Sequence, residues 1–418
     1  MQTKTASLQM KILSADYILL MDGEKTVLRK GAVAFEKEIL EIAHSSEQLT
    51  QKYPQASFEY LGDNSVLMPA LINAHTHLEF SSNKTTLTYG NFIEWLTSVM
   101  ENREKLSSGN IESVIEKILK EMLRYGTATI GAISSFGKDL TPCVSTPQKI
   151  VYFNELLGSR EEFLNESEAD FDRRLERTMR FKSDSFIPAV SVHSAYSTHP
   201  KLVNKAVSIA KKYDMPIAVH FMESKGERGW LDKSNGEFKA FFKKFFGIEK
   251  SLTTTAEFLE KFEGARAIFV HCLYAKEEEL EKMKYQNAHI VHCPISNRLL
   301  SSRIFDIEKA KNLNMDFITA TDGLSSNFCL NLFNELRCTL FMHYDLSLKV
   351  LPYDLLESVT KNPAIALGLP VGQIIQGYSA DLISFNLPDT LENDEALALQ
   401  IILHTNKVER IYINGVEY

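Results

Sequence analysis

The run Met68-Pro69-Ala70-Leu71-Ile72-Asn73-Ala74-His75-Thr76-His77 decides the fold. Through Ala74 it is apolar apart from Asn73, as expected of a strand buried on both faces, and it closes on two histidines two residues apart. Side chains two apart on an extended segment point the same way, so both imidazoles can face one ion. From here to roughly Leu369 the chain repeats an apolar strand and then an amphipathic helix. Eight candidate strands follow one another: Met68 to His75, Ala128 to Ser134, Ile150 to Glu155, Ile187 to His193, Pro216 to His220, Ala267 to His271, Ala288 to His292 and Asp316 to Thr321. Eight parallel strands close a (β/α)₈ barrel, so the predicted fold class is α/β with a barrel over residues 68–369. Ile111, Val114, Ile115, Ile118, Leu119 and Met122 trace the stripe that one of its helices would pack on the strands.

Both chain ends read differently. Short β-rich runs at Tyr17 to Leu20, Ala32 to Phe35 and Ile39 to Ile42, and again at Ser379 to Asn386 and Val408 to Tyr418, are separated by turn residues such as Asp22-Gly23 and Asn414-Gly415. Residues 1–67 and 370–418 are therefore expected to pair into one small β-sandwich.

The composition bounds the function. Among 418 residues, 46 Lys and Arg stand against 54 Asp and Glu, a net charge of −8 with no basic block, which argues against a nucleic-acid partner. No apolar run approaches the roughly 18 residues that span a bilayer, and the N-terminus lacks the features of a secretory signal, so no membrane association and a cytoplasmic location are expected. The five cysteines form no C-x-x-C pair and read as reduced packing residues.

Polar, metal-competent groups close several of the apolar runs: His193, His220, His271 and Asp322 join His75 and His77 at strand ends that converge on one mouth in a barrel. Such a ring is costly to bury unless an ion or substrate satisfies it. His75, His77, His220 and Asp322 offer three nitrogens and one carboxylate, a set suited to Zn²⁺ or Fe²⁺ in a catalytic site. Glu223, three residues past His220, is positioned to shuttle protons. The Phe-rich segment Phe238, Phe241, Phe242, Phe245 and Phe246 has helical spacing and is expected to pack on the barrel rim.

The set His75-x-His77, His220-x-x-Glu223, His271 and Asp322, with His292-Cys293-Pro294-Ile295-Ser296-Asn297 and Gly377-Tyr378-Ser379-Ala380-Asp381-Leu382, resembles the amidohydrolase superfamily in its cytosine/adenosine-deaminase-like and chlorohydrolase-like branch. The resemblance implies a hydrolytic deaminase in which His193 touches substrate and His271 holds the attacking water. It also implies one metal ion, because the fourth strand ends in His193 and not in the lysine that binuclear members use. Loops after the first, third, fourth, seventh and eighth strands are similar to those of deaminases of 6-aminopurine nucleosides with large 5′ substituents, most of all the aminofutalosine-deaminase group. The carboxylate of aminodeoxyfutalosine calls for a fork-shaped cation, for which Arg160 or Arg298 would serve. Methylthioadenosine or adenosylhomocysteine deamination, deamination of a cytosine, guanine or triazine ring, and a non-catalytic scaffold are the alternatives. A homodimer is the base-rate expectation for oligomeric state.

Overall fold

A computed structural model of the chain describes residues 9–82, 85–106 and 109–418. Its largest sheet has eight parallel strands in chain order, Leu71–Thr76, Thr127–Ser134, Lys149–Leu156, Phe186–Ser194, Ile217–Phe221, Ala267–His271, His289–His292 and Phe317–Thr319. Each lies within a few residues of its expected position, and the sheet is curled into the barrel read from the sequence. Nearly every strand residue is buried, as a parallel sheet covered on both faces requires. Helices such as Ile111–Arg124, Leu164–Met179 and Pro200–Tyr213 form the crossovers.

The first and last strands are stitched together largely by side chains. Asn73 Nδ2 donates to Thr321 Oγ1 at 2.7 Å, and the Thr321 N–H returns to Asn73 Oδ1 at 3.3 Å. Thr76 Oγ1 donates to the Asp322 carbonyl at 2.9 Å, and the Asp322 N–H to the His75 carbonyl at 3.2 Å. The one polar residue inside the deciding apolar run is thus a seam residue. This stitching brings Asp322 level with His75.

The chain ends build two further sheets. One orders Val416–Glu417, Arg410–Ile413, Leu382–Asn386, Ser65–Pro69, Tyr17–Leu19 and Val27–Arg29, so strands from both ends interleave, with Leu382 opposite Pro69. The other orders Ile39–Ala43, Ala32–Phe35, Lys11–Ser14 and Ser57–Tyr60. Leu13, Val33 and Phe35 of the second sheet share a buried core with Ile18, Leu67, Leu382 and Tyr412 of the first. Asn414 and Gly415 both have positive φ, 50° and 73°, the backbone that a two-residue type I′ hairpin demands.

By chain contacts the molecule divides into two compact units, one of Met1–Ile72, Glu121–Thr129 and Asn331–Tyr418 and one of Asn73–Lys120 and Ile130–Leu330. Residues 331–369, read from the sequence as the end of the barrel, group with the terminal strands because Leu332–Met342 and Leu351–Glu357 pack on the helix Leu397–His404. Among the described residues, no helix is long and apolar enough to cross a membrane.

Gly131, on the second barrel strand, faces the residue that precedes the first histidine. A Cβ there would lie 2.2 Å from the Ala74 carbonyl oxygen, which real contacts do not permit. Gly131→Ala is expected to cost about 1–3 kcal/mol through strand displacement and to weaken divalent-metal retention with it. Thermal melting and metal content of the purified variant check this.

Candidate active site

The eight strands end at one rim, and the candidate residues stand there. His75 and His77 come from the first strand and its end, His220 from the fifth, and Asp322 follows the eighth. The ligand-type atoms of these four all lie within 4.8 Å of one another. Asp322 Oδ1 is 3.6 Å from His75 Nε2 and 3.6 Å from His77 Nε2, while the Nε2 atoms of His77 and His220 approach to 3.2 Å. All four residues are buried.

Their outward hydrogen bonds fix which atoms face inward. His220 Nδ1 donates to the His193 carbonyl at 2.7 Å, so the lone pair of a neutral ring sits on Nε2, pointing at the cluster. Asp322 Oδ2 accepts from Ser296 Oγ at 2.7 Å and Ser326 Oγ at 2.8 Å, which leaves Oδ1 for the imidazoles. Both nitrogens of His75 are buried without a hydrogen-bond partner, and so is His77 Nδ1. Burial, with the neighbouring His75 imidazole, lowers His77 to about 3, and burial also drives His220 well down. The neutral His77 and His220 rings, one carboxylate and the orphaned buried nitrogens of His75 and His77 fit a divalent cation.

The backbone here is forced. Met222, His271, Cys272 and Asp322 have φ of 50°, 73°, 52° and 57°, a left-handed conformation that L-residues adopt at a cost. Gly323 is required beside Asp322, since a Cβ on it would meet His77 Cβ at 2.9 Å and the His77 carbonyl oxygen at 3.1 Å.

His271 and Glu223 form a second pair beside the four. His271 Nδ1 donates to Asn297 Oδ1 at 2.8 Å, so Nε2 carries the lone pair, and that atom lies 3.6 Å from Glu223 Oε1. Burial holds His271 at about 4. Burial, aided by the charges of Asp322 and Glu227, pushes the Glu223 carboxyl well up, which favours its protonated form. Its main chain is anchored twice. The Glu223 N–H donates to Glu227 Oε2 at 2.9 Å and its carbonyl accepts from Ser301 Oγ at 2.7 Å, while Ser224 caps the helix Lys225–Lys233.

A cavity of about 230 Å³ opens onto both pairs. His77, His220, Asp322, Glu223, His271, His193 and Glu155 line its polar end, and Phe92, Trp95, Tyr196, Phe241, Phe242 and Phe246 build an apolar arm. The Phe-rich helix Gly236–Phe246 therefore does more than pack on the rim: Phe238 stacks on Phe92 with centroids 5.9 Å apart, while three of its neighbours face the cavity. His193 lines the polar end, its Nδ1 2.6 Å from Ser197 Oγ. Neither expected arginine is brought into the cavity lining. Arg160 lies over the Phe163 ring at 4.1 Å with Glu162 3.8 Å away, and Arg298 Nη1 donates to Ser302 Oγ at 3.1 Å. Arg160 sits in the loop after the third strand and Arg298 on the exposed face of the helix Pro294–Leu300, and a nearer local partner holds each guanidinium.

Sequence reasoning passed over two buried glutamates. Glu79, two residues beyond His77, accepts from the N–H groups of Ser135, Phe136 and Lys138 at 2.7, 2.9 and 2.6 Å and so shapes the turn after the second strand. Glu155 ends the third strand; its Oε2 accepts from Ser135 Oγ at 2.5 Å, and burial raises it to about 7. Glu155 closes an apolar run just as His220 and His271 do, so the same signal was present. Behind them Asp139 Oδ1 accepts from the hydroxyls of Ser134 and Tyr152 at 2.7 and 2.6 Å.

A (β/α)₈ barrel carrying three imidazoles and a carboxylate at its strand ends, beside a buried acid and a lone-pair-bearing histidine, defines a metal-dependent hydrolase. The chain belongs to the Amidohydrolase family, which matches residues 66–417. It is 43% identical to the aminodeoxyfutalosine deaminase of a Nitratiruptor species over 94% of this chain and 96% of that one. It is 34% identical to the adenosine deaminase of Helicobacter pylori over 97% and 98% of the two chains. The crystal structure of Helicobacter pylori aminofutalosine deaminase in complex with methylthio-coformycin superimposes with a TM-score of 0.94 at 33% identity, covering 98% of this chain and 100% of that chain.

Two outcomes follow from the site. Asp322→Ala should reduce bound divalent metal to well below one equivalent by elemental analysis, while His193→Ala should leave it near the wild-type value. Asp139 is held at about 8, chiefly by burial, against 3.8 in the unfolded chain, so the folded form binds more protons between those values and stability falls as pH rises through that window. Asp139→Asn keeps the acceptor and removes the titration. Its melting temperature should therefore gain on wild type from pH 5 to pH 8; a constant difference would contradict the assignment.

Proposed function

We propose that this protein hydrolytically deaminates aminodeoxyfutalosine, a 6-aminopurine nucleoside, with one divalent cation, Zn²⁺ or Fe²⁺, held by His75, His77, His220 and Asp322. The observation that carries it is the conjunction of that ligand set with Glu223 and His271 on one cavity whose remaining arm is aromatic. The Nitratiruptor and Helicobacter pylori relatives act on substrates of this kind by name, which supports the substrate class.

A divalent cation at this site supplies Lewis acidity, which makes water nucleophilic near neutral pH. The chain's own groups do the rest. His271 Nε2 offers a lone pair to the attacking water and orients it. Glu223 gives its proton from the carboxyl to a ring nitrogen, accepts the proton of the attacking water and returns it to the leaving amine. Water adds to the ring carbon, the C–N bond breaks as ammonia leaves, and the second proton of the water, lost from the hydroxyl as the ring carbonyl forms, returns Glu223 to its protonated state. His193 contacts the base from the fourth strand. The aromatic arm takes the 5′ substituent, whose carboxylate lies toward the mouth; Arg160, next in the chain after the cavity-lining Ser159, is our candidate partner, and Arg298 the alternative. A cytoplasmic location and a homodimer complete the reading.

A second reading is favoured by one observation. The methylthio-coformycin in the Helicobacter pylori complex carries a small apolar 5′ group, and Phe92, Trp95 and Phe242 would accept methylthioadenosine equally well.

Ammonia release by metal-loaded protein from aminodeoxyfutalosine, methylthioadenosine, adenosine, cytosine and guanine tests both. The expected result is highest kcat/KM for aminodeoxyfutalosine, no turnover of free bases, and a kcat about 10²–10⁴-fold lower in Glu223→Gln. Preference for a free base would discard the substrate, and silence on every compound would discard the deaminase.

A further inference from the structure

The cavity holds a carboxylate that the proposed chemistry leaves unused. Three acids line it: Asp322 serves the metal cluster, Glu223 faces His271, and Glu155 has neither task. Glu155 is fully buried; Ser135 Oγ donates to its Oε2 at 2.5 Å, but Oε1 has no hydrogen-bond partner. The nearby guanidinium of Arg174 does not serve it, because Nη2 donates to the Glu155 main-chain carbonyl at 2.8 Å and Nη1 to the Ser134 carbonyl at 3.3 Å. A buried carboxylate oxygen without a donor costs free energy that a well-formed fold does not leave uncompensated. Glu79, close by on the same shoulder of the barrel, shows how the chain satisfies such a group when its role is structural: three backbone N–H groups converge on it and it is absent from the cavity lining. Glu155 is held by one hydroxyl, at Oε2, and lines the cavity, with a carboxylate oxygen within 4.8 Å of a ring nitrogen of His193 and of His220.

We propose that Glu155 is a substrate-binding residue whose Oε1 accepts a hydrogen bond from an N–H or O–H of the bound nucleoside. Ser135 is its positioning residue, fixing the carboxylate through Oε2. The proposal rests on the nucleoside-deaminase reading, and it adds a polar anchor on the wall formed by the second, third and fourth strands. The donor is a sugar hydroxyl or the exocyclic amine. Both present the same chemistry to a carboxylate oxygen.

Calorimetric binding of methylthio-coformycin to the metal-loaded protein, with steady-state kinetics on methylthioadenosine and its 2′-deoxy and 3′-deoxy analogues, tests this in wild type, Glu155→Gln and Ser135→Ala. Metal content and melting temperature are measured alongside. Glu155→Gln should weaken inhibitor binding or kcat/KM about 10- to 100-fold, as expected for loss of a hydrogen bond to a charged group, with one metal equivalent retained. Ser135→Ala should weaken them less. If the donor is a sugar hydroxyl, the penalty falls on KM and disappears on one deoxy analogue; if it is the amine, the penalty falls on kcat and persists on both. Binding and kinetics within twofold of wild type in Glu155→Gln would overturn the proposal, as would a loss that tracks metal loss. Should Glu155→Gln fail to fold, an unchanged affinity in Ser135→Ala overturns it. A wild-type protein that neither binds the inhibitor nor turns over any nucleoside would instead remove the function on which the proposal stands.

Discussion

Everything at the mouth of this barrel answers to one electrostatic constraint: three buried imidazoles and one buried carboxylate bring their ligand-type atoms within 4.8 Å of one another. His220 is committed to this by the carbonyl of His193 behind it, and Asp322 by the two serine hydroxyls on its other oxygen. Burial keeps the His77 and His220 rings neutral, so their nitrogens stay available as ligands. An uncompensated cluster of this kind would destabilise the fold. A divalent cation held by these four residues would compensate it.

The scaffold is shaped to that end. The Asn73–Thr321 stitching closes the barrel where His75 and Asp322 must meet, and a glycine at position 131 lets the second strand lie against Ala74. Left-handed residues gather at Met222, His271, Cys272 and Asp322, each at or just past the end of a strand. Two of these four, His271 and Asp322, line the cavity, so the strain gathers where side chains must face the mouth. The strand ends carry the candidate ligands and the Glu223–His271 pair, while helices Phe92–Glu101 and Gly236–Phe246 supply aromatic walls of the same cavity.

Much of this was legible in the sequence, for a physical reason. Buried parallel strands must be apolar along their length, so a polar residue ending such a run announces a strand terminus, and in a barrel all termini of one kind face one mouth. His75, His77, His220, His271 and Asp322 are found by that rule. Glu155 obeys it as well but is an acid without histidine's rarity, and it passed as a strand end. The arginines illustrate the opposite limit. Arg160 and Arg298 have the right chemistry for a carboxylate, yet rotamers of long surface side chains are set by local partners such as Phe163 and Ser302, which linear spacing does not reveal. The grouping of residues 331–369 with the terminal strands depends on helix–helix packing with Leu397–His404, and no periodicity in either segment encodes its partner.

The central claim is that one cation sits on these four residues. Anomalous diffraction from crystals of the metal-loaded protein, recorded on both sides of the zinc and iron absorption edges, tests it most directly. A single strong peak per chain is expected about 2.0–2.2 Å from His75, His77, His220 and Asp322. A peak elsewhere, a second peak of equal height between Glu155 and His193, or no peak at all from active protein would contradict it.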